Sequence, residues 1–206
     1  IESRREKWGR SARWYLKLSE KIACKYADIV ISDNIEIQKY IKDEYSVDSK
    51  MIPYGGDHML PSENDATPVQ QLNLPDNYYY SLCRIEPENN PEIILKAFSQ
   101  TSEQLVFIGN WFNSAYGQSL FERFSGFSNL HLLHPIYERN KLITIRSSAI
   151  GYVHGHSAGG TNPSLVEAIF HDSKILSYDC NFNRSTMNQN GFYFSDSPSL
   201  KDLLTS

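Results

Sequence analysis

Residues 149–168 read AIGYVHGHSAGGTNPSLVEA and place a short apolar run, a glycine-containing loop and a helix start in succession. The run 149–154 predicts a strand, because it is apolar, short and followed by glycine. The paired glycines 159–160 leave the backbone open to close approach by a ligand. Asn162 is a favoured N-cap, and Pro163 suits the first helical position. The stretch therefore predicts a strand that leads through a ligand-accessible loop into a helix.

The same strand-and-helix unit repeats through the rest of the chain. Apolar runs that predict strands occupy residues 78–85, 104–109, 129–134, 149–154, 174–178 and 191–194. Helical spacing of apolar residues falls between them, at residues 91–101, 116–125, 139–147 and 162–171. Short strands that alternate with helices of about ten residues are typical of βαβ units. We therefore predict an α/β fold in which helices flank a Rossmann-like parallel sheet.

Three segments are predicted along the chain. Residues 1–60 combine helices and short strands, and we interpret them as the end of a preceding domain and its crossover. Residues 61–77 contain prolines among Ser, Asn, Asp and Gln, which is typical of a linker. Residues 78–206 form the predicted Rossmann-like domain. Because the chain begins at Ile1 within a helical pattern, we expect it to be a piece of a longer protein.

The opening segment predicts a basic amphipathic helix. Residues 1–26 contain eight Lys or Arg and three Glu, whereas the whole chain has a net charge of −4. The apolar positions of this helix that share one face are Trp8, Ala12, Tyr15, Ile22 and Tyr26. This face either packs against the rest of the preceding domain or docks at a membrane surface. A strand is predicted at 28–33, a helix at 35–45 with Asn34 as its N-cap, and a strand and turn at 50–56.

Composition narrows the function classes. A net charge of −4 disfavours a general nucleic-acid binder, whose surface would be basic. Cys24, Cys83 and Cys180 have no metal-site spacing, and their small number favours a reducing, cytoplasmic setting. No apolar run approaches the roughly 20 residues that a membrane span requires. The chain has neither GxxxxGK[ST] nor GxGxxG, which disfavours kinases, GTPases and ordinary NAD enzymes.

Candidate ligand-binding residues follow four of the predicted strands, because an open α/β sheet binds ligands beyond the carboxyl ends of its strands. These candidates are Arg84, Glu88, Asn89, Gly109, Asn110, Ile136, Tyr137, His156, Gly159, Gly160, Thr161, Asn162, Ser164 and Glu167. The helix start at Asn162 presents N–H groups and a positive dipole end, which suit a diphosphate. Arg84 can hold phosphate oxygens through parallel bonds, and the Glu167 carboxylate can accept two ribose hydroxyls. Together they predict a nucleoside-diphosphate site.

Simpler explanations exist for several of these residues. Glu167 alone could be a solvated surface residue, and Arg84 could pair with a neighbouring glutamate. Tyr137 could pack rather than support a base. His154 and His156 could be satisfied interior groups. A metal site is disfavoured, because no third ligand lies near these histidines in sequence.

Three segments resemble the donor domain of retaining glycosyltransferase family four, which has the GT-B fold. They are RIEPENN at 84–90, HGHSAGGTNPSLVEA at 154–168 and KILSYD at 174–179. Within that family, they look most like the bacterial branch that includes polysaccharide rhamnosyltransferases. KYADIVISDN at 25–34 and MIPYGGD at 51–57 also resemble that branch, where they form the end of the acceptor-side domain.

The resemblance implies roles for particular residues. Glu167 would hold the ribose and Arg84 would neutralise the diphosphate, which makes these two the candidate catalytic residues. The N–H groups of residues 160–162 would meet the phosphate or the sugar, and residues 135–138 would face the base. The chain also departs from the wider family, because Gly159 replaces a sugar-binding glutamate.

A second departure is Asn89, which stands where the wider family has a lysine. The sugar contacts must therefore differ from the common pattern, and Glu88 and Asn89 are candidates to bind sugar hydroxyls instead. Loss of the lysine also leaves less positive charge near the leaving diphosphate. The narrower branch shares both departures, so we do not infer an inactive enzyme.

The resemblance implies transfer of a sugar, with rhamnose as first choice, from a dTDP-, UDP- or GDP-linked donor to a glycan or lipid-linked saccharide. It implies retention of anomeric configuration, no metal or other cofactor, and a cytoplasmic enzyme, either free or peripheral at the inner membrane face. We expect acceptor-side groups to lie in the preceding domain, so the chain alone should bind donor and transfer poorly. A sugar-nucleotide 2-epimerase and a non-catalytic nucleotide-binding module are the alternatives.

Overall fold

The computed structural model describes residues 9–61, 72–171 and 173–206. Trp8 and most of the predicted linker 61–77 therefore lie outside the described residues. The helices are α1 (Arg10–Tyr26), α2 (Ile35–Tyr45), α3 (Pro91–Phe98), α4 (Ala115–Phe124), α5 (Arg139–Ser148), α6 (Pro163–Ile169), α7 (Asn181–Thr186) and α8 (Ser197–Thr205). The strands are β1 (Ile31–Ser32), β2 (Lys50–Met51), β3 (Tyr78–Leu82), β4 (Gln104–Ile108), β5 (Leu130–Leu133), β6 (Gly151–His154), β7 (Lys174–Tyr178) and β8 (Phe192–Phe194).

The strands from β3 onward form one parallel sheet in the order β5-β4-β3-β6-β7-β8. The chain runs outward from β3 through β4 to β5 and then returns to the opposite side of β3 as β6. The strand order therefore reverses between β3 and β6. This reversal is a topological switch point, where open α/β sheets bind their ligands. β1 and β2 pair separately as a two-stranded parallel sheet. The predicted α/β class with a Rossmann-like sheet is confirmed.

The sheet is buried on both faces, which explains why its strands read as nearly continuous apolar runs. Alternate residues of each strand point to opposite faces. Tyr79 and Phe107 pack with Ile94 and Phe98 of α3 on one face. On the other face, the side chains that pack with α5 and α6 include Tyr78, Tyr80, Val106, Ile108, Ile145, Leu165 and Ala168. Because the strands are parallel, their carboxyl ends lie together at one edge of the sheet.

Element boundaries differ from the predicted ones in ways that local hydrogen bonding explains. β3 ends at Leu82 rather than at residue 85, and the turn Pro87–Asn89 follows it. Helix α7 was not predicted, because Asn181–Thr186 lacks apolar spacing. The Asn183 amide anchors it by donating to the carbonyls of His156 at 2.8 Å and Tyr178 at 2.9 Å. Helix α8, also not predicted, begins at a capping box formed by Asp196 and Ser199.

Helix α1 carries an exposed apolar face. Tyr15, Ile22 and Tyr26 of the predicted face are exposed, and Trp14 is exposed beside them. None of the residues of α1 is buried in this structure. Of the helices that the structure describes, none has the length and apolar character needed to cross a membrane. Packing of this face against another part of the protein stays a prediction.

Candidate functional site

The loops that follow β3 and β6 are joined directly at the switch point. The backbone N–H and the hydroxyl of Ser157 both donate to the Glu88 carbonyl, at 2.8 and 2.9 Å. The Asn90 amide donates to the Gly155 carbonyl at 2.8 Å. The two loops that carry most of the predicted site residues therefore form one connected edge.

Asn89 and His156 make the central contact of this edge, and both side chains are buried. The Asn89 amide nitrogen donates to the Arg84 carbonyl at 2.7 Å, so its oxygen faces His156 Nδ1 at 2.6 Å. Nδ1 must then carry the proton, because the amide oxygen can only accept. Both ends of the Asn89 amide are thus occupied within the protein. The Asn89 amide therefore holds the two loops together, and its contact with a sugar hydroxyl stays a prediction.

His154 lies beneath this edge as a buried, neutral group. Its Nδ1 lies 3.0 Å from the hydroxyl of Tyr152. Burial, with a smaller contribution from the nearby His156, lowers the pKa of His154 from 6.5 to about 3. The buried position supports the interpretation of His154 as an interior group. Because its pKa is this low, the imidazole does not accept a proton near neutral pH. Burial also raises the pKa of the Cys83 thiol to about 12, so Cys83 is no nucleophile.

A cleft of about 290 Å³ opens at the carboxyl ends of β3, β4 and β5. Predicted site residues that line this cleft are Arg84, Gly109, Asn110, Ile136 and Tyr137. Tyr137 is 89% exposed, so it does not pack in the core, and its ring is free to stack on a planar ligand. Ile136 is partly buried and packs against the core cluster that contains Ile145. The cleft therefore combines an aromatic platform with a cationic side chain.

Arg84 is the cation of this cleft. Its side chain is 58% exposed, and its Nη1 lies 3.6 Å from Glu86 Oε1. An ion pair at this distance and exposure contributes little, so the guanidinium is free to turn toward an anion. Packing against Ile85 explains the glycine at position 109, and a hydrogen bond to the backbone explains the asparagine at position 110. A Cβ on Gly109 would lie 2.4 Å from Ile85 Cδ1, and Asn110 accepts a bond from the Ile85 N–H at 2.8 Å.

The glycine loop before α6 contacts the N-terminal part of the chain. Gly159 has a φ of 104°, which favours glycine. The Thr161 N–H donates to the Asp33 carboxylate at 3.1 Å, and its hydroxyl donates to the Asp33 carbonyl at 2.8 Å. Asn162 caps α6 as predicted, accepting a bond from the Ser164 N–H at 3.0 Å. An anion that binds the Thr161 N–H would therefore have to displace the Asp33 carboxylate, a contact that was not predicted.

Asn34 strengthens this connection. Its amide nitrogen lies within hydrogen-bond distance of Thr161 Oγ1, the Phe182 carbonyl and Thr186 Oγ1, at 3.2 to 3.3 Å. Its oxygen caps α2 by accepting the Glu36 N–H at 2.9 Å, as predicted. A cleft of about 460 Å³ lies between residues 33–54 and helices α6 and α7. The buried Asn34 side chain therefore joins the wall of this larger cleft to the glycine loop.

We expect Asn34→Ala to lower the free energy of unfolding by about 2 kcal/mol, because it removes an N-cap and a buried amide donor together. Asn34→Ser retains a capping oxygen without a charge and loses the amide donor. The free energy of unfolding should therefore fall less in this variant than in the alanine variant. Urea denaturation of both variants checks the order, and equal losses in the two variants would contradict a capping contribution.

Glu167 is held from two sides. Its Oε2 lies 2.5 Å from Arg146 Nη2, and its Oε1 lies 3.2 Å from His58 Nε2. The Glu167 side chain is 16% exposed and that of Arg146 only 2%. Neither Arg146 nor His58 was among the predicted site residues. A signal for Arg146 existed, because it follows Ile143 by three residues and shares its buried face of α5.

The structure thus distributes the predicted site over three neighbouring groups. The first group lines the cleft of about 290 Å³ and consists of Arg84, Gly109, Asn110, Ile136 and Tyr137. The second group joins the β3 and β6 loops and consists of Glu88, Asn89 and His156. Gly160, Thr161 and Asn162 contact residues 33–34 or cap α6, and Glu167 lies outside the cleft lining. Among residues 9–61, 72–171 and 173–206, no group of three or more His, Cys, Asp or Glu could hold a metal ion.

A family model matches one part of the sequence. Residues 1–57 match a domain of unknown function (DUF1972). This match covers the basic helix and the segment that contains Asp33 and Asn34. The comparison with curated protein sequences gave no match.

Solved structures share the fold over nearly the whole chain. Anabaena Alr3699/HepE, solved in complex with UDP and glucose, is 16% identical with a TM-score of 0.75, and the match covers 97% of this chain and 58% of that chain. Sucrose-phosphate synthase from Thermosynechococcus elongatus is 16% identical with a TM-score of 0.76, and the match covers 97% and 53%.

A third solved structure with a similar fold is an isolated C-terminal domain. The C-terminal domain of a glycosyl transferase group 1 family protein (LpcC) from Francisella tularensis is 16% identical with a TM-score of 0.54, covering 74% of this chain and 86% of that one. The chain therefore has the fold of GT-B glycosyltransferases. It spans a little over half the length of the HepE and sucrose-phosphate synthase chains.

Proposed function

We propose that this chain is the donor-binding part of a glycosyltransferase that moves a sugar from a nucleoside-diphosphate donor to a glycan hydroxyl. The observation that carries the proposal is the switch-point edge, where the β3 and β6 loops are locked together beside a cleft that presents Arg84 and Tyr137. Open α/β sheets bind nucleotides at such a reversal of strand order.

The donor would lie along this edge with its parts against different groups. Its base would stack on Tyr137, which is exposed, and its diphosphate would pair with the Arg84 guanidinium. Its ribose would reach the Glu167 carboxylate. HepE has been solved with UDP and with UDP-glucose, which supports a nucleotide-sugar donor for a chain of the same fold.

In the proposed reaction, the bond between the anomeric carbon and the phosphate oxygen breaks as the acceptor hydroxyl bonds to that carbon. The nucleoside diphosphate leaves with the bonding electrons, and the hydroxyl proton passes to a base or to solvent. Arg84 would stabilise the charge that develops on the leaving group, so we expect no metal requirement. We propose retention of configuration, with rhamnose from a dTDP donor as the first sugar to test.

The acceptor and the location of the enzyme also belong to this proposal. We propose a growing surface polysaccharide or a lipid-linked saccharide as acceptor, with the enzyme in the cytoplasm. Helix α1 supports contact with the inner membrane face, because it exposes Trp14, Tyr15 and Ile22 beside basic side chains. Binding of the chain to anionic vesicles, and its loss in Trp14→Ser, would test this contact.

Calorimetric titration with UDP, dTDP and GDP tests the donor site. We expect one nucleotide to bind selectively, and Arg84→Ala to weaken it about tenfold or more, because a charge-assisted contact to phosphate is lost. Arg123→Ala is the matched control, since Arg123 lies on α4 and is paired with Glu92 away from the cleft. No binding by the folded chain would contradict the donor site.

Turnover by the full-length protein separates the remaining functions. Release of nucleoside diphosphate only when an acceptor is present indicates transfer. Change of the sugar within an intact nucleotide sugar indicates a 2-epimerase. Nucleotide binding without either reaction indicates a non-catalytic module.

A further inference from the structure

The guanidinium of Arg146 is one of the most deeply buried charges in the part of the chain that the structure describes. Its side chain is 2% exposed, in the last turn of α5. A buried guanidinium is costly unless a carboxylate and hydrogen bonds compensate it. Glu167 supplies the carboxylate, at 2.5 Å from Nη2. Nε and Nη1 have no hydrogen-bond partner among the described residues. An apolar side chain would fill this position at lower cost if packing alone were required.

The contact fixes one side of the Glu167 carboxylate. Arg146 lies on the protein side, against Oε2, and the carboxylate keeps 16% of its side chain accessible. Oε1 lies 3.2 Å from Nε2 of His58, whose side chain is 59% exposed. Each carboxylate oxygen has two lone pairs, so an oxygen that contacts Arg146 can still accept another bond. The planar guanidinium therefore sets the orientation of a carboxylate that remains open to a ligand.

We propose that Arg146 is a positioning residue, which holds the Glu167 carboxylate in the orientation that receives the ribose hydroxyls of the donor. The inference rests on the proposed function and deepens it. Arg146 does not touch the nucleotide, and it acts only through Glu167. The contribution of Arg146 to affinity therefore depends on whether the ligand has ribose hydroxyls.

This dependence distinguishes positioning from a purely structural role. The experiment compares UDP, GDP and dTDP, whose sugars carry two, two and one free hydroxyls, with their 2′,3′-dideoxy forms, by calorimetry, on the wild-type chain, Arg146→Met, Arg146→Lys and Glu167→Gln. We expect Arg146→Met and Glu167→Gln each to weaken the nucleotide that keeps its sugar hydroxyls about tenfold and to leave the dideoxy form within about twofold. Arg146→Lys should recover part of the loss, because its ammonium keeps the charge without the planar geometry.

The controls separate the possible failures. Arg123→Met, at an exposed ion pair between α4 and Glu92 of α3, should leave both affinities unchanged. If Arg146→Met does not fold by circular dichroism, Arg146→Lys and its double variant with Glu167→Gln carry the test. The double variant should lose no more than Glu167→Gln alone. Equal weakening of ribo- and dideoxynucleotides would overturn the positioning role while leaving the donor site intact. No nucleotide binding by the folded wild type would overturn the proposed function itself.

Discussion

Gly155→Ala is expected to lower the free energy of unfolding by about 3 kcal/mol, because a Cβ at this position would overlap the facing loop. The added carbon would lie 2.1 Å from the Asn89 carbonyl oxygen and 3.0 Å from Ile94 Cδ1. The first of these atoms belongs to backbone, which cannot rotate away. Relief requires separation of the β3 and β6 loops, and with it loss of the bond between Asn90 and the Gly155 carbonyl.

Urea denaturation followed by circular dichroism measures this effect. Gly126→Ala is the matched control, because a Cβ on Gly126 would meet no atom within 4 Å. That substitution should be neutral or slightly stabilising, since alanine reduces the freedom of the unfolded chain. A Gly155→Ala variant as stable as the Gly126→Ala variant would show that the two loops separate at little cost.

Gly155→Ala also tests the relation between loop contact and ligand binding. Arg84 follows β3, and its carbonyl accepts the Asn89 amide, so a shift of this loop moves the cleft cation. We expect nucleotide affinity to fall together with stability in this variant. Retained affinity in a destabilised variant would show that the cleft does not depend on the connected edge.

The strands and helices of the sheet could be predicted from sequence because their signals are local. Burial on both faces made the strands apolar throughout, and the helix start at Asn162 and Pro163 used ordinary capping chemistry. The edge of the sheet that carries the candidate site followed from the strand order rule. Helix α7 was not predicted because buried amide contacts of Asn183, rather than an apolar face, hold it in place.

The polar partners of the site could not be predicted, because they join residues far apart in the chain. Asp33 and Thr161 are separated by 128 positions, and His58 and Glu167 by 109. No periodicity relates such positions, so only the folded chain brings them together. Gly155 is a further case, because its requirement for glycine arises from the Asn89 carbonyl of another loop. The sequence therefore indicated which groups could bind a ligand, whereas the structure shows how they are held.

Acid is expected to destabilise the chain through His154. Burial, and to a smaller extent His156, lowers the pKa of His154 to about 3 from 6.5. The unfolded state therefore binds a proton as pH falls below about 6.5, whereas the folded state does not until about pH 3. The free energy of unfolding should lose about 1.4 kcal/mol per pH unit from this group across that window, or about 2 kcal/mol between pH 6.5 and 5.

His154→Asn removes the titrating group and should flatten this part of the pH profile, even if the variant is less stable at pH 8. The measurement is the free energy of unfolding in urea at intervals from pH 8 to 5, compared as slopes. His134→Asn is the control, because His134 is exposed, and its slope should follow the wild type. Parallel slopes for wild type and His154→Asn would show that the His154 imidazole accepts a proton in the folded state. The buried site beside the Tyr152 hydroxyl would then have to accommodate a charge, which burial strongly disfavours.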